Sequence, residues 1–289
     1  MLKNQRIVAI LFVVTASLLW STGGLLIKMV SWHPLAISGM RSGISALVML
    51  LFFRIVYKRF PKKPDKYVWL AAFNYMILVM LFVSANKLTT SANAILLQFT
   101  SPIWALVIGG IFLKEKFGKK DYTTVAIVFV GMILFFIGDI DGGGILGNIL
   151  AVLSGISMAL MIISLKRIQN RKPIEIVIWG NAMMFVAGIP FYGGLNFSGT
   201  NVIGILLLGI FQLGFSYIFF TKGIEHVSVL EGILIPVLEP LLNPLWVFFG
   251  TGEKPGILAL VGGVIVVCAV VYHSIVEVEV PEPIQVGGS

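Results

Sequence analysis

Glu239 is a carboxylate inside an apolar stretch. It lies in PVLEPLLNP, between Pro236 and Pro240, with Pro244 just beyond, and no other charged residue falls between Glu231 and Glu253. Proline removes a backbone donor and frees a carbonyl, so this run can open a helix where it borders a cavity. A carboxylate there can bind a cationic group or carry a proton; its other possible work is to hydrogen-bond a neighbouring helix and steady the kink. Arg41 lies a turn or two inside another apolar stretch. It could attract a carboxylate, pair with Asp139 or Asp141, or snorkel to headgroups. Glu115 and Glu253 close two apolar runs, which suits a gate or a helix-end contact. Glu231 reads as an interfacial structural acid.

Uncharged groups at similar depth could complete a binding surface. They are Trp20, Ser21 and Thr22, then Asn74 and Tyr75, Asn93 and Gln98, Asn181, Gln212 and Tyr217, and Asn243. The ordinary role of any one of them is a helix-to-helix hydrogen bond. Together they make a surface of amides and aromatic faces with one acid, and Trp20, Tyr75, Tyr217 and Trp246 could stack on a ring or a cation. That suits an amino acid, an amine or a heterocycle better than a polyanion.

The chain around these residues is 289 long, 58% hydrophobic and 12% charged, with mean hydropathy +0.99. Soluble domains are about a quarter charged, so this composition belongs in a bilayer. Cys268 is the only cysteine, which excludes an intrachain disulfide. His33, His226 and His273 are far apart and match no zinc pattern, no GxxxxGK[ST] occurs, and the aspartates of DIDGGG at 139–144 have no partnering motif. No metal, cofactor or enzyme chemistry is expected. The apolar run after Lys3 and Arg6 is longer than a signal-peptide core and lacks a small-residue cleavage site.

Ten stretches are long enough to span, near the ~20 residues needed: Arg6–Met29, Pro34–Tyr57, Tyr67–Asn86, Ser91–Leu113, Tyr122–Gly138, Leu146–Leu165, Ile174–Tyr192, Val202–Thr221, Val227–Gly250 and Gly256–Ser274. With a cytoplasmic N-terminus, 17 basic residues fall inside: Lys3, Arg6, Arg54, Lys58, Arg59, Lys62, Lys63, Lys66, Lys114, Lys116, Lys119, Lys120, Lys166, Arg167, Arg171, Lys172 and Lys222. Only Lys28, Lys87 and Lys254 fall outside. The net charge of +8 therefore reads as topology, with both termini cytoplasmic, and not as a nucleic-acid surface.

Part of the chain occurs twice. Laying Pro102 on Pro240, a shift of 138, places Leu96 on Leu234, Glu115 on Glu253, Lys116 on Lys254 and Gly118 on Gly256. The same shift places Lys28 on Lys166, Phe73 on Phe211, Asn74 on Gln212 and Phe82 on Phe220. Two halves of five helices must be inverted relative to each other. Such halves can exchange conformations and turn an inward-open cavity into an outward-open one. That implies a transporter, with Pro102, Pro236, Pro240 and Pro244 as hinges and Glu239, Arg41, Glu115 and Glu253 as coupling or gating residues. An integral membrane enzyme or a scaffold has no comparable need for the symmetry.

The segments ASLLWSTGGLLIK at 16–28 and PLAISGMRSGISALVML at 34–50, with LLQFTSPIWALVIGGIFLKEKFG and ILIPVLEPLLNPLWVFFGTGEKPG, resemble the drug/metabolite transporter superfamily in its ten-helix EamA-type branch. The resemblance implies a central cavity lined mainly by helices 1, 3, 4, 6, 8 and 9, and movement of small metabolites. Pro255, where the first half has Phe117, departs from the repeat. The resulting expectation is an all-α integral membrane protein of ten helices, with repeats at 1–138 and 139–275 and a disordered tail at 276–289. It would sit in the cell membrane as a monomer or homodimer and act as an exporter, either proton-coupled or an uncoupled facilitator.

Overall fold

The computed structural model describes residues 3–112, 117–137, 144–168, 171–242 and 256–279. Among these the protein is helical and has no strand. Seven helical segments are long and apolar enough to cross a membrane: Asn4–Met29, Pro34–Tyr57, Lys66–Leu88, Asn93–Ile111, Ile145–Arg167, Pro173–Phe191 and Gly199–His226. The expected fifth span is an 18-residue helix, Lys119–Phe136, whose first turn carries Lys119, Lys120 and Asp121. The apolar part of the tenth, Ile257–His273, is shorter than the seven. Of the ninth, Val227–Gly250, the residues up to Leu242 are described, and helix begins in it at Val229.

The individual helices are α1 (Lys3–Trp20), α2 (Gly23–Met29), α3 (Pro34–Tyr57), α4 (Lys66–Leu88), α5 (Ser91–Gln98), α6 (Ser101–Phe112), α7 (Lys119–Phe136), α8 (Ile145–Arg167), α9 (Pro173–Gly188), α10 (Gly199–Leu207), α11 (Ser216–Gly223), α12 (Val229–Leu234) and α13 (Ile257–Glu279). Local chemistry sets their starts. Pro34 and Pro173 stand in first turns, where a missing N–H is harmless. Asp65 Oδ1 accepts from the Tyr67 and Val68 amides at 3.0 and 3.1 Å. These bonds, that of Val68 first, hold the exposed Asp65 carboxyl below its ordinary range. Ser228 and Glu231 cap α12 reciprocally.

The bundle is apolar on its outside as well as in its core. Large apolar side chains such as Leu47, Leu51, Leu70, Ile111, Ile149 and Val264 are exposed, while Ser38, Arg41, Asn86, Gln98, Asn181 and Gln212 are buried. A lipid environment imposes this arrangement, since hydrocarbon satisfies no polar group. α3 packs on α9, α4 on α8, and α7 on α13. In the last pair a Cβ on Gly262 would lie 2.5 Å from the Gly131 carbonyl oxygen, so glycine is what allows the two backbones to meet.

Among the described residues, four spans are interrupted within their length, and a fifth, Pro173–Phe191, ends in a 3₁₀ turn. The first breaks at Ser21–Thr22 and the fourth at Phe99–Thr100. The eighth passes through a π-helical segment, Leu208–Phe215, and the ninth through a 3₁₀ turn, Ile235–Val237, before a helical stretch at 238–242. Pro102 therefore lies in the first turn of α6, not at a mid-helix hinge. Pro236 lies in the 3₁₀ turn and Pro240 in the stretch after it.

Candidate functional site

The interruptions surround one central cavity. Its wall takes Trp20 from α1, Arg41 from α3, Leu78, Val79 and Phe82 from α4, and Gln98 from the end of α5. Met158 and Met161 come from α8, Gln212 and Leu213 from the π segment, Tyr217 from α11, and Glu239 from the stretch after the 3₁₀ turn. The free volume is ≈ 50 Å³ for water-sized occupants, enough for a few waters and no more.

Arg41 is a buried cation, at 1% exposure. It does not snorkel. Its Nη1 donates to Gln212 Oε1 at 3.0 Å, and its Nε has no hydrogen-bond partner among the described residues. Asp139 and Asp141 lie outside the described residues. Arg41 also adds the second span to the wall, which the family resemblance did not include. The π segment makes this geometry: π turns insert an extra residue and re-aim side chains, and they recur at functional sites. Gly209 lets the segment approach α3, with a Cβ there 2.6 Å from Ile44 Cβ and 3.1 Å from the Arg41 carbonyl. Gln212 is also seated against α2, where a Cβ on Gly23 would come within 2.7 Å of its Nε2.

Glu239 is 7% exposed and faces the same cavity. The site thus combines one arginine and one carboxyl group with aromatic, thioether, aliphatic and amide side chains. The rings are tightly placed. Trp20 meets Tyr217 at 5.0 Å and 63°, and Tyr75 meets Tyr217 at 5.1 Å and 84°. Phe220 backs Trp20 at 5.1 Å. The Tyr217 hydroxyl contacts Met161 Sδ at 3.9 Å.

Other candidates are occupied elsewhere. Ser21 and Thr22 donate to the Leu18 and Leu19 carbonyls at the α1 break. Asn74 donates to the Ser157 carbonyl at 2.9 Å, joining α4 to α8. Tyr75 lies behind the wall, its hydroxyl accepting from Asn181 Nδ2 at 3.1 Å. Asn93 Nδ2 reaches Thr89 Oγ1 at 3.4 Å. Gln98 lines the cavity and donates to Ser154 Oγ at 2.8 Å. Asn243, Pro244, Trp246, Glu115 and Glu253 lie outside the described residues.

The apolar lining residues Leu78, Val79, Phe82, Met158, Met161 and Leu213 were not anticipated. The repeat held a signal for two of them, Val79 and Met158. Trp20 and Met158 are 138 positions apart, as are Val79 and Tyr217, and both pairs share this wall.

Comparison with known proteins agrees with this picture. The model of the EamA-like transporter family matches residues 7–137 and again 145–275. An uncharacterized transporter of Archaeoglobus fulgidus is 22% identical over 262 residues, covering 89% of this chain and 93% of the relative. The uncharacterized transporter YdfC of Bacillus subtilis is 26% identical over 269 residues, covering 88% and 87%. A crystal structure aligns with TM-score 0.77 over 94% of this chain and 98% of that one, at 17% identity, a likeness of fold. With both copies of the family model spanning a helical bundle around one cavity, the chain belongs to the EamA-like transporter family.

Proposed function

We propose that the chain is a secondary transporter of ten helices, in two inverted five-helix halves at 1–138 and 139–275 with a tail at 276–289. In this reading it exports small metabolites by alternating access, with both termini in the cytoplasm. The basic residues gathered on one side of the membrane support the orientation. The interrupted spans support a midplane site, since irregular backbone in a membrane belongs where it lines a cavity.

One observation carries the substrate reading. Arg41 and Glu239 line the same aromatic cavity and are contributed by opposite halves. Among amino acids, amines and heterocycles, a zwitterionic amino acid uses both: carboxylate toward Arg41, ammonium toward Glu239, side chain among Trp20, Tyr217 and Met158. Glu239 is also the group placed to exchange a proton for that ammonium, which would couple export to the proton gradient.

Proteoliposomes loaded with a labelled amino-acid panel test this. Efflux driven by a pH gradient is expected in the parent protein. Glu239→Gln should lose driven efflux while keeping substrate-for-substrate exchange. Unchanged driven efflux in that variant would make the protein an uncoupled facilitator, and no movement of any panel member would overturn the amino-acid reading.

A further inference from the structure

A second and larger cavity opens at the end of the bundle where the basic residues gather. Its volume is ≈ 430 Å³, and its wall includes Arg59, Lys166, Arg171, Lys172 and Glu225. It shares no residue with the central cavity. Arg59 follows α3, Lys166 lies in the last turn of α8, Arg171 and Lys172 precede α9, and Glu225 follows α11, so the pocket lies where these helices end or begin.

The charges inside are only partly answered. Arg59 pairs with the fully buried Glu175 at 2.7 Å, and Lys172 with Glu225 at 3.2 Å. Lys166 donates to the Ile224 and Val227 carbonyls. Arg171 reaches Asp65 at 3.3 Å through Nη2. Its Nη1 is buried without a hydrogen bond among the described residues, the nearest carboxylate oxygen being Glu175 Oε2 at 3.8 Å. Among the described residues, one N–H set of the Arg171 guanidinium is thus unused, with Arg59 and Lys172 lining the same pocket. A planar guanidinium beside flexible ammoniums matches the spread oxygens of a phosphate, and basic pockets at the ends of membrane helices take acidic headgroups.

The geometry points to a site for a phosphate-bearing anion in this pocket, either the headgroup of an acidic phospholipid or a free phosphorylated compound. The test is the thermal midpoint of the purified protein in a non-ionic detergent. Inorganic phosphate is titrated against chloride and acetate at matched ionic strength, and phosphatidylglycerol is compared with phosphatidylcholine in mixed micelles. A bound ligand raises the midpoint by mass action. The expected result is a rise of several degrees with phosphate, phosphatidylglycerol or both. It should fall by half or more in Arg171→Gln and in Lys172→Gln, and persist in Lys222→Gln, a cation outside the pocket. A rise with lipid alone assigns the pocket to a headgroup; a rise with free phosphate assigns it to a soluble compound. Should Arg171→Gln fail to fold, the half-exposed Lys172 decides. No rise with either probe, an equal rise with acetate, or a rise undiminished by the pocket substitutions overturns the site.

Discussion

Arg41 and Gln212 are 171 positions apart in sequence and joined by one hydrogen bond of 3.0 Å, buried between α3 and the π-helical segment. Each is the other's hydrogen-bond partner, and both side chains are buried. Removing one should therefore hurt more than removing both. Gln212→Leu should destabilise by about 1–3 kcal/mol, the cost of a buried donor left unmade. Adding Arg41→Met to that variant should recover part of the loss. A double-mutant cycle in denaturant checks the coupling, and additive losses would show that the bond contributes nothing of its own. Arg41→Met should also weaken amino-acid binding by about tenfold or more, the equivalent of ~1.4 kcal/mol.

The fold was legible in the sequence to the extent that it depends on apolar length. Spans such as Pro34–Tyr57 and Lys66–Leu88 are continuous and nearly free of charge, and they form as expected. Arg41 and Glu239 were legible because a charge in an apolar run stands out. The rest of the wall was not, since Leu78 or Met158 facing a cavity has the same composition as a leucine or methionine facing lipid. The helix breaks were only half visible. Pro102 marks an interruption that falls two residues earlier, at Thr100, because proline suits the first turn of the next helix. The π segment has no marker beyond Gly209 and Gly214, which matter for packing on α3.

Gly23→Ala separates binding from folding. The new Cβ would press on Gln212 Nε2, the far end of a flexible side chain, so the amide can move and the helices need not. Stability should change by less than about 1 kcal/mol, while the bond to Arg41 is displaced and substrate affinity falls. Parallel thermal and binding measurements decide. A large drop in stability with affinity intact would mean that the helices part instead.

Two ion pairs should differ sharply. Arg6 pairs with Glu231, whose side chain is 2% exposed; Arg171 reaches Asp65, whose side chain is 52% exposed. Arg6→Gln leaves a buried carboxylate without its cation and should destabilise by about 3 kcal/mol or more. Adding Glu231→Gln should restore most of it. Breaking the exposed pair with Asp65→Asn, which retains a capping side chain, should change stability by little. Equal losses from the two would contradict this ordering.

Acid should weaken the start of α4. Amide bonds from Val68 and Tyr67, with Arg171 nearby, hold Asp65 below the usual carboxylate range when folded. Its contribution is fully present above the unfolded value of about 3.9 and is lost as pH falls through the folded one. In Asp65→Asn the stability profile should flatten at that acid end, with the variant slightly below the parent at neutral pH and meeting it in acid. Melts across that range would show it, and identical acid limbs would remove Asp65 from the account.

Matched positions of the repeat meet in one wall, yet the side chains there are unlike: indole against thioether at 20 and 158, isopropyl against phenol at 79 and 217. Under the exchange proposed above, a chain with identical halves would rest equally in its two orientations, because swapping the halves would change nothing. Divergence at these pairs removes that degeneracy. The two states related by the pseudo-two-fold axis would then be unequal in energy, giving the cycle a preferred resting side even before any gradient acts on it. Exchanging Trp20 and Met158 would then act on the resting preference of the cycle as well as on binding.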